Sequence, residues 1–487
     1  MGTMQIRNYI DFFVDGHHYL FHGLTGNIME LDEAASSFLS FAKQHGQPIG
    51  DCTVLAEDVY AVQMQRDEKW QEAIRELAKM EIVHDEGAEG EGVFSRTPSA
   101  PRQTDNMPVK TLVVHLVNEC NLRCTYCYAG DGEYGAPKKY LSKEVAEQAV
   151  HFLMENSFHE QEVTIVLFGG EPFLNWDVLQ HLVEYGTEQA ELYGKKISYS
   201  LTTNGTLLSP ERIAFLNRYS IGVSVSMDGT QEAHDKHRLF AGGQGSYERV
   251  SQNVERLVEG HRTAPVGARV TVSRGFEAVE TSLSHLLAKG FYEVGFAPVT
   301  ETDANLLLNG EELRELLRQF ADIADLYVEH AVNGRYLGFS NLTNLLKELH
   351  IGTNKAYGCG AGQGFFAVSP DGGLYLCHRF NEDERFKMGD IYSGIQRERQ
   401  REMLEQLHVE RKESCTMCAL KHICSGGCYY EAMERQGDFR RPNAHYCEWM
   451  HEWMVIGLKA YVKIAKANPA FLDRISGIGK EGCVSHS

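Results

Sequence analysis

The chain has 487 residues, of which 43% are hydrophobic, 10% aromatic and 23% charged, with a formal net charge of −20. That length exceeds one ordinary core and predicts several domains. The charge speaks against a nucleic-acid partner, which needs a basic face; no apolar run is long enough to span a bilayer, and no export signal opens the chain, so the expected setting is cytoplasmic.

Residues 1–84 read as a small α/β unit. YIDFFVDGHHYLFHGLTGNIMEL alternates apolar and polar residues around Asp15-Gly16 and Thr25-Gly26, the pattern of β-hairpins. Asp32 is placed to cap a helix through DEAASSFLSFAKQ. A second helix, at about 68–80, carries Trp70, Ile74 and Leu77 on one face. Residues 85–107 are rich in Gly, Ser, Pro and acid and read as a linker.

Residues 108–310 alternate strands with helices. TLVVHLV, VTIVLFG, ISYSLTT, IGVSVSM, GARVTVS and YEVGFAPV are short apolar or β-branched runs, with helical stretches such as SKEVAEQAVHFLMENS and SYERVSQNVERLVEGH between them. Six strands with crossover helices predict an α/β fold with a parallel sheet, open or curled into a partial barrel. Ligands collect at the C-terminal ends of such strands. A helical connection follows at 311–356. Residues 357–450 are cysteine-rich with little regular periodicity, as in a module held by metal. A final helix and tail occupy 451–487.

Ten of the twelve cysteines are clustered, which in a chain without an export signal points to metal ligation rather than disulfides. Cys52 and Cys483 stand apart and read as a buried and a tail thiol. Directly after the first strand of the alternating region, CNLRCTYCYAG places Cys120, Cys124 and Cys127 at C-x3-C-x2-C spacing. A structural zinc site wants four ligands, so a zinc knuckle would need a distant histidine such as His115. Three thiolates suit a [4Fe–4S] cluster with one iron left for a non-protein ligand.

This stretch resembles the radical SAM superfamily, whose fourth cluster iron takes the amino and carboxylate groups of S-adenosylmethionine (SAM). Supporting motifs fall in order: Gly169-Gly170-Glu171-Pro172 after the second strand, TTNGTLL after the third, and SVSMDG after the fourth, followed by Arg238. The resemblance implies that Tyr126 lies along the adenine. It implies that Gly169, Gly170 and Glu171 meet the SAM amino group through backbone oxygens. Thr203, Asn204, Ser226 and Arg238 become candidates for its ribose and carboxylate, since a hydroxyl, an amide and a forked cation suit those groups.

The second group is Cys359, Cys377, then C-x2-C-x5-C-x3-C (Cys415, Cys418, Cys424, Cys428), then Cys447. It resembles the SPASM extension of radical SAM peptide-modifying enzymes, which carries two auxiliary Fe–S clusters. Three [4Fe–4S] clusters are thereby expected in all. By that resemblance Cys415, Cys418, Cys424 and Cys447 hold the distal cluster, and Cys359, Cys377 and Cys428 the near one. Sulfatase-maturing relatives have one more cysteine shortly after the first; here GAGQGFFAV has none. Two zinc ribbons are the alternative, which seven ligands would fill badly.

The N-terminal unit resembles the winged-helix-like peptide-recognition domain of ribosomal-peptide maturases, which binds a leader segment as an added strand. A structural or dimerising unit is the alternative. The resemblances together imply a maturase of a peptide or small protein subunit with an N-terminal leader, reduced by a flavodoxin or ferredoxin. The 5′-deoxyadenosyl radical would remove a hydrogen from an unactivated carbon, and a substrate cysteine would close a thioether there. "CHRF" (Cys377 to Phe380) and "KMGDI" (Lys387 to Ile391) fit the wider thioether-forming group without singling out a subfamily; within it the chain most resembles the maturation-protein family of quinohaemoprotein amine dehydrogenase, which joins Cys to Asp or Glu. The rivals are a formylglycine-generating sulfatase maturase, a carbon–carbon cross-linker, and a non-catalytic Fe–S or zinc scaffold.

Overall fold

The computed structural model describes residues 3–49, 51–56, 59, 68–85, 107–300 and 303–478. The linker expected at 85–107, apart from its two ends, and the tail with Cys483 lie outside the described residues.

The N-terminal unit is built on two small sheets. One has the order β5-β6-β1-β7, from β1 (Thr3–Ile6), β5 (Gln47–Ile49), β6 (Cys52–Ala56) and β7 (Val83–Asp85); the other runs β2-β3-β4, from β2 (Tyr9–Val14), β3 (His17–His22) and β4 (Ile28–Glu30). The β2–β3 hairpin turns at Asp15-Gly16, where both residues have positive φ (50° and 82°), as a tight two-residue turn requires. Asp32 caps the helix Glu33–His45 by accepting from the Ala35 amide at 2.8 Å. The expected helix near 68–80 is Glu68–Lys79, burying Ile74 and Leu77. Strands β1, β5, β6 and β7 were not legible, because runs of three to five residues carry almost no periodicity.

The hairpin faces two ways. Leu20 and Tyr9 join Phe38, Leu39, Ile74 and Leu77 in a core of the unit's own. Phe12, Val14, Tyr19 and Phe21 belong instead to the main core of the molecule, on the side of the C-terminal helix Cys447–Ala467. Lys466 of that helix lies over the Tyr19 ring at 5.0 Å and 3.5 Å from Glu30.

The six expected parallel strands form in chain order: β8 (Thr111–His115), β9 (Glu162–Phe168), β10 (Lys196–Thr203), β11 (Gly222–Ser226), β12 (Val266–Val272) and β13 (Glu293–Pro298). Helices Lys143–Asn156, Trp176–Leu192, Pro210–Arg218, Tyr247–Gly260 and Val279–Ala288 connect them. Two of these helices start at serine caps: Ser142 accepts from Val145, and Ser209 from Arg212, with Pro210 in the first turn. Along β9, Val163, Ile165 and Leu167 are buried, while Thr164, Val166 and Phe168 on the opposite face are only half-buried. That second face looks into the partial barrel.

The cysteine-rich region is more regular than its sequence suggests. β14 (Phe365–Val368) pairs in parallel with β8, and β15 (Gly373–Tyr375), β16 (Lys387–Asp390) and β17 (Gly394–Ile395) continue antiparallel, giving a ten-stranded sheet. Phe366, Ala367 and Val368 are consecutive and all buried, so β14 shows no alternation. The expected boundary at 357 is thus crossed by a continuous sheet. Helices Gly310–Val332 and Ser340–His350 pack on the C-terminal helix, where Phe320 meets Trp453 edge-on at 5.3 Å. Among the described residues, no helix is long and apolar enough to cross a membrane.

Candidate functional site

Cys120, Cys124 and Cys127 lie on the loop after β8 and face one cavity of about 240 Å³. The ends of the other strands supply the remaining walls: Gly169-Gly170 after β9, Thr203-Asn204 at β10, Ser226 of β11, Thr271 of β12, and Ala297-Pro298 of β13. Successive turns curl the loop, with the Cys127 amide donating to Cys124 O at 3.1 Å and the Gly130 amide to Cys127 O at 2.9 Å. Arg123 Nη1 clamps its start by donating to the carbonyls of Cys120 (2.6 Å) and Leu122 (2.8 Å). The loop can come this close to β9 only because of two glycines. Gly169 has φ +137°, and a side chain at either glycine would run into backbone oxygens of Val117 or Glu119.

The remaining predicted residues divide. Tyr126, Gly169, Gly170, Thr203, Asn204, Ser226 and Arg238 all line the cavity. Glu171 does not: its carboxylate is fully buried and accepts from Thr203 Oγ1 (2.8 Å), the Asn204 amide (2.8 Å) and the Phe173 amide (3.2 Å). It therefore ties the end of β9 to the end of β10. Burial raises its pKa to about 7 against those hydrogen bonds. Thr203 is committed to this brace, and Asn204 Nδ2 donates to Asn121 Oδ1 (2.8 Å) and approaches Cys120 Sγ (3.6 Å). Arg238, a candidate for the ribose or carboxylate of SAM, keeps its place on the cavity wall with part of its fork already engaged. Its Nε and Nη2 are taken bidentately by Asp228 at 2.9 and 3.0 Å, and the Tyr126 hydroxyl also donates to Asp228. Asp228, the acid of the SVSMDG motif, was missed because it reads as an ordinary Asp-Gly turn.

Burial raises the thiol pKa values, to about 12 for Cys120 and about 11 for Cys124. Thiols in such a site become thiolates when a metal takes the proton's place. His115, the alternative fourth zinc ligand, is buried between Tyr134 and Phe168 and does not line the cavity.

The second group gathers Cys415, Cys418, Cys424, Cys428 and Cys447 around a larger cavity of about 890 Å³. Burial raises the Cys377 thiol pKa to about 12, and Cys428 and Cys359 are close enough to add to that shift. Two residues absent from the sequence reading join the distal thiols. His451 Nε2 lies 3.5 Å from Cys418 Sγ and 3.3 Å from Asp51 Oδ2, and Asp51 also accepts from the Ala419 amide at 2.9 Å. Asp51 comes from the N-terminal unit, so no local spacing announces it. Its neighbour Cys52 is a buried β6 thiol, as expected.

Lys412 tests whether these thiols suit anionic clusters. It is 1% exposed, its Nζ donates to Ser425 O at 3.2 Å and lies 4.8 Å from the Tyr429 ring centre; burial lowers its pKa, and Cys415, Cys424, Cys359 and Cys428 are near enough to oppose that lowering when ionised. No carboxylate pairs with it among the described residues. A buried ammonium is costly unless opposite charge surrounds it. Thiolate-ligated iron–sulfur clusters on both sides would supply that charge, so the donor set fits them.

Three thiols after the first strand of a partial (β/α)6 barrel, facing a cavity at the strands' C-terminal ends, define the radical SAM α/β fold. Residues 114–276 match the model of the Radical SAM superfamily. The chain is 24% identical over 337 residues to a cysteine-type anaerobic sulfatase-maturating enzyme of Clostridium novyi, covering 64% of this chain and 85% of that one. It is 26% identical over 388 residues to an uncharacterised protein of Archaeoglobus fulgidus, covering 76% and 86%. The solved structure of native anSMEcpe with bound AdoMet and Cp18Cys peptide superposes with a TM-score of 0.58 at 22% identity, covering 76% of this chain and 100% of that one.

Proposed function

We propose that this chain is a radical SAM peptide maturase that ties a substrate cysteine to a carbon of an Asp or Glu residue through a thioether. The relatives that act on sulfatases, and the related structure with a bound peptide, support a peptide or small protein subunit as substrate. When loaded, the barrel cluster and SAM supply one-electron chemistry that removes a substrate hydrogen. The chain's own part is geometric. Cys120, Cys124 and Cys127 anchor the cluster, the Gly169-Gly170 edge and Ser226 face the SAM cavity, and the Glu171 brace fixes the strand ends around them.

The observation that carries the thioether reading is the ligand count of the near auxiliary site. Cys359, Cys377 and Cys428 are three, the GAGQGFFAV stretch offers no fourth thiol, and Cys52 is held in β6; the competing reading is that Cys483, outside the described residues, completes the set. An iron without a protein thiolate can hold a substrate cysteine as its thiolate. The N-terminal unit is read as the leader-binding domain, and a flavodoxin or ferredoxin as electron donor.

The sequence similarity to sulfatase-maturating enzymes favours formylglycine formation as the second reading. The products separate the two. Thioether closure removes two hydrogens, keeps the sulfur and blocks the thiol to alkylation. Formylglycine formation from cysteine replaces the sulfur with oxygen, and formation from serine leaves cysteine thiols free; both create an aldehyde that hydrazide captures. Anaerobic incubation of the reduced, cluster-loaded enzyme with SAM and synthetic peptides carrying Cys with Asp or Glu, read by intact mass, alkylation and hydrazide capture, decides between them.

A further inference from the structure

Two arginines line the thiol cavity, and they differ in what their charges already meet. Arg238 is bound on two nitrogens by Asp228. Arg379 has no such two-nitrogen partner among the described residues. It lies in the short turn His378–Phe380, directly after Cys377, and reaches the cavity wall from the module side. Its guanidinium sits 5.1 Å from the Tyr128 ring centre and 5.5 Å from that of Tyr430. Tyr128 follows Cys127, and Tyr430 is two residues beyond Cys428, so Arg379 stands between the barrel thiols and the near auxiliary thiols. Its polar contacts among the described residues run from Nη1, to Thr300 Oγ1 at 3.0 Å and to Glu431 Oε1 at a long 3.4 Å. Glu431 is shared: its other oxygen accepts from Asn443 Nδ2 at 2.9 Å.

Aromatic faces hold a guanidinium in place without using its N–H donors. Nε and Nη2 of Arg379 are thereby left to bind something else, on a side chain only 25% exposed. A planar fork on a cavity wall is matched by a carboxylate, which it binds bidentately. We infer that Arg379 is the group that recognises the acidic side chain of the substrate residue undergoing modification. This rests on the thioether reading above and explains how that reading's Asp or Glu would be chosen over Asn or Gln. The position is suitable: a carboxylate on Arg379 would hold its own methylene carbons inside the cavity, between the barrel thiols and the site proposed for the substrate sulfur.

The test uses cluster-loaded wild-type, Arg379→Gln and Arg379→Lys enzymes with synthetic peptides. Each peptide carries a single cysteine and, at varied spacing, either Glu or Asp, or the matched Gln or Asn. Peptide affinity is measured by fluorescence anisotropy and turnover by peptide-stimulated 5′-deoxyadenosine formation, with kcat and KM separated. The wild type is expected to favour acidic over amide peptides by about tenfold or more. Arg379→Gln is expected to bring that ratio close to one, and Arg379→Lys to keep part of it. A ratio is insensitive to a general loss of folded enzyme, and the iron–sulfur absorbance checks that each variant is loaded. The inference is overturned if the wild type shows no acidic preference in affinity or turnover, or if Arg379→Gln retains it, as it would were the arginine only a counter-charge for the near cluster. It is also overturned if SAM affinity falls in Arg379→Gln while the acidic ratio survives, which would assign the carboxylate to SAM. An acidic preference that is lost in Arg379→Gln but accompanies aldehyde products would leave Arg379 assigned and remove the thioether reading instead.

Discussion

Cys120, Cys124 and Cys127 share one loop of the barrel, whereas the seven thiols of the module come from residues 359 to 447. The loop thiols are positioned by a sheet that has its own apolar core: Leu112, Val114, Ile165 and Leu167 are all buried. The module thiols are positioned by short turns, such as Glu413–Cys415, and by a four-residue helix, Lys421–Cys424. The electrostatics differ too. The barrel's buried cation, Arg238, already has its carboxylate, while Lys412 in the module faces thiols. On the proposed reading, the barrel would be organised before a cluster binds, whereas the module would depend on its clusters for order.

The sharpest way to break this contrast is to remove one ligand from each side. Cys124→Ala is expected to abolish SAM cleavage, measured as 5′-deoxyadenosine after anaerobic reconstitution, and to lower iron by one cluster's share. Its effect on thermal stability is expected to stay near about 1 kcal/mol, because the barrel core remains. Cys424→Ala is expected to cost on the order of 4 kcal/mol, the scale of losing a metal anchor. A thermal scan and limited proteolysis within 357–450 read this directly. Equal destabilisation by both variants would erase the proposed difference.

Glu171 sharpens the comparison from the barrel side, because its brace needs no metal. The folded protein holds the carboxyl's pKa at about 7, above its ordinary range, so the folded state keeps a proton that the unfolded chain releases. The stability from this group is complete below the ordinary carboxylate pKa and is lost as pH rises through about 7. Relative to Glu171→Gln, the wild type is expected to lose about 2 kcal/mol between pH 5 and pH 8. Melting curves of the iron-free protein across that interval check it.

The smallest expected effect concerns Lys412. Lys412→Met keeps the buried stem and deletes the charge. The auxiliary potentials should become more negative by tens of millivolts, on the order expected for a nearby buried charge, while the barrel cluster's potential stays fixed. EPR-monitored redox titration separates the signals. An unchanged auxiliary potential would show that Lys412 does not face the clusters.

The six barrel strands and the three-thiol loop were legible because each is a local pattern. Alternating apolar runs, helix periodicity and C-x3-C-x2-C spacing all act within about twenty residues of sequence. The hairpin at Asp15-Gly16 and the Asp32 cap were legible for the same reason. The contacts that shape the site were not. Asp51 meets Cys418 and His451 across some four hundred positions of sequence, β14 joins β8 across about two hundred and fifty, and Arg379 enters the cavity from the opposite module. No pattern within a segment encodes where another segment will lie. Sequence by itself determined which residues have the chemistry to bind iron and which six runs become the barrel strands. Only the tertiary structure decided that Asp228 occupies Arg238 while Arg379 keeps open donors, because a charge is committed by whatever packs against it, and that is fixed when the core closes.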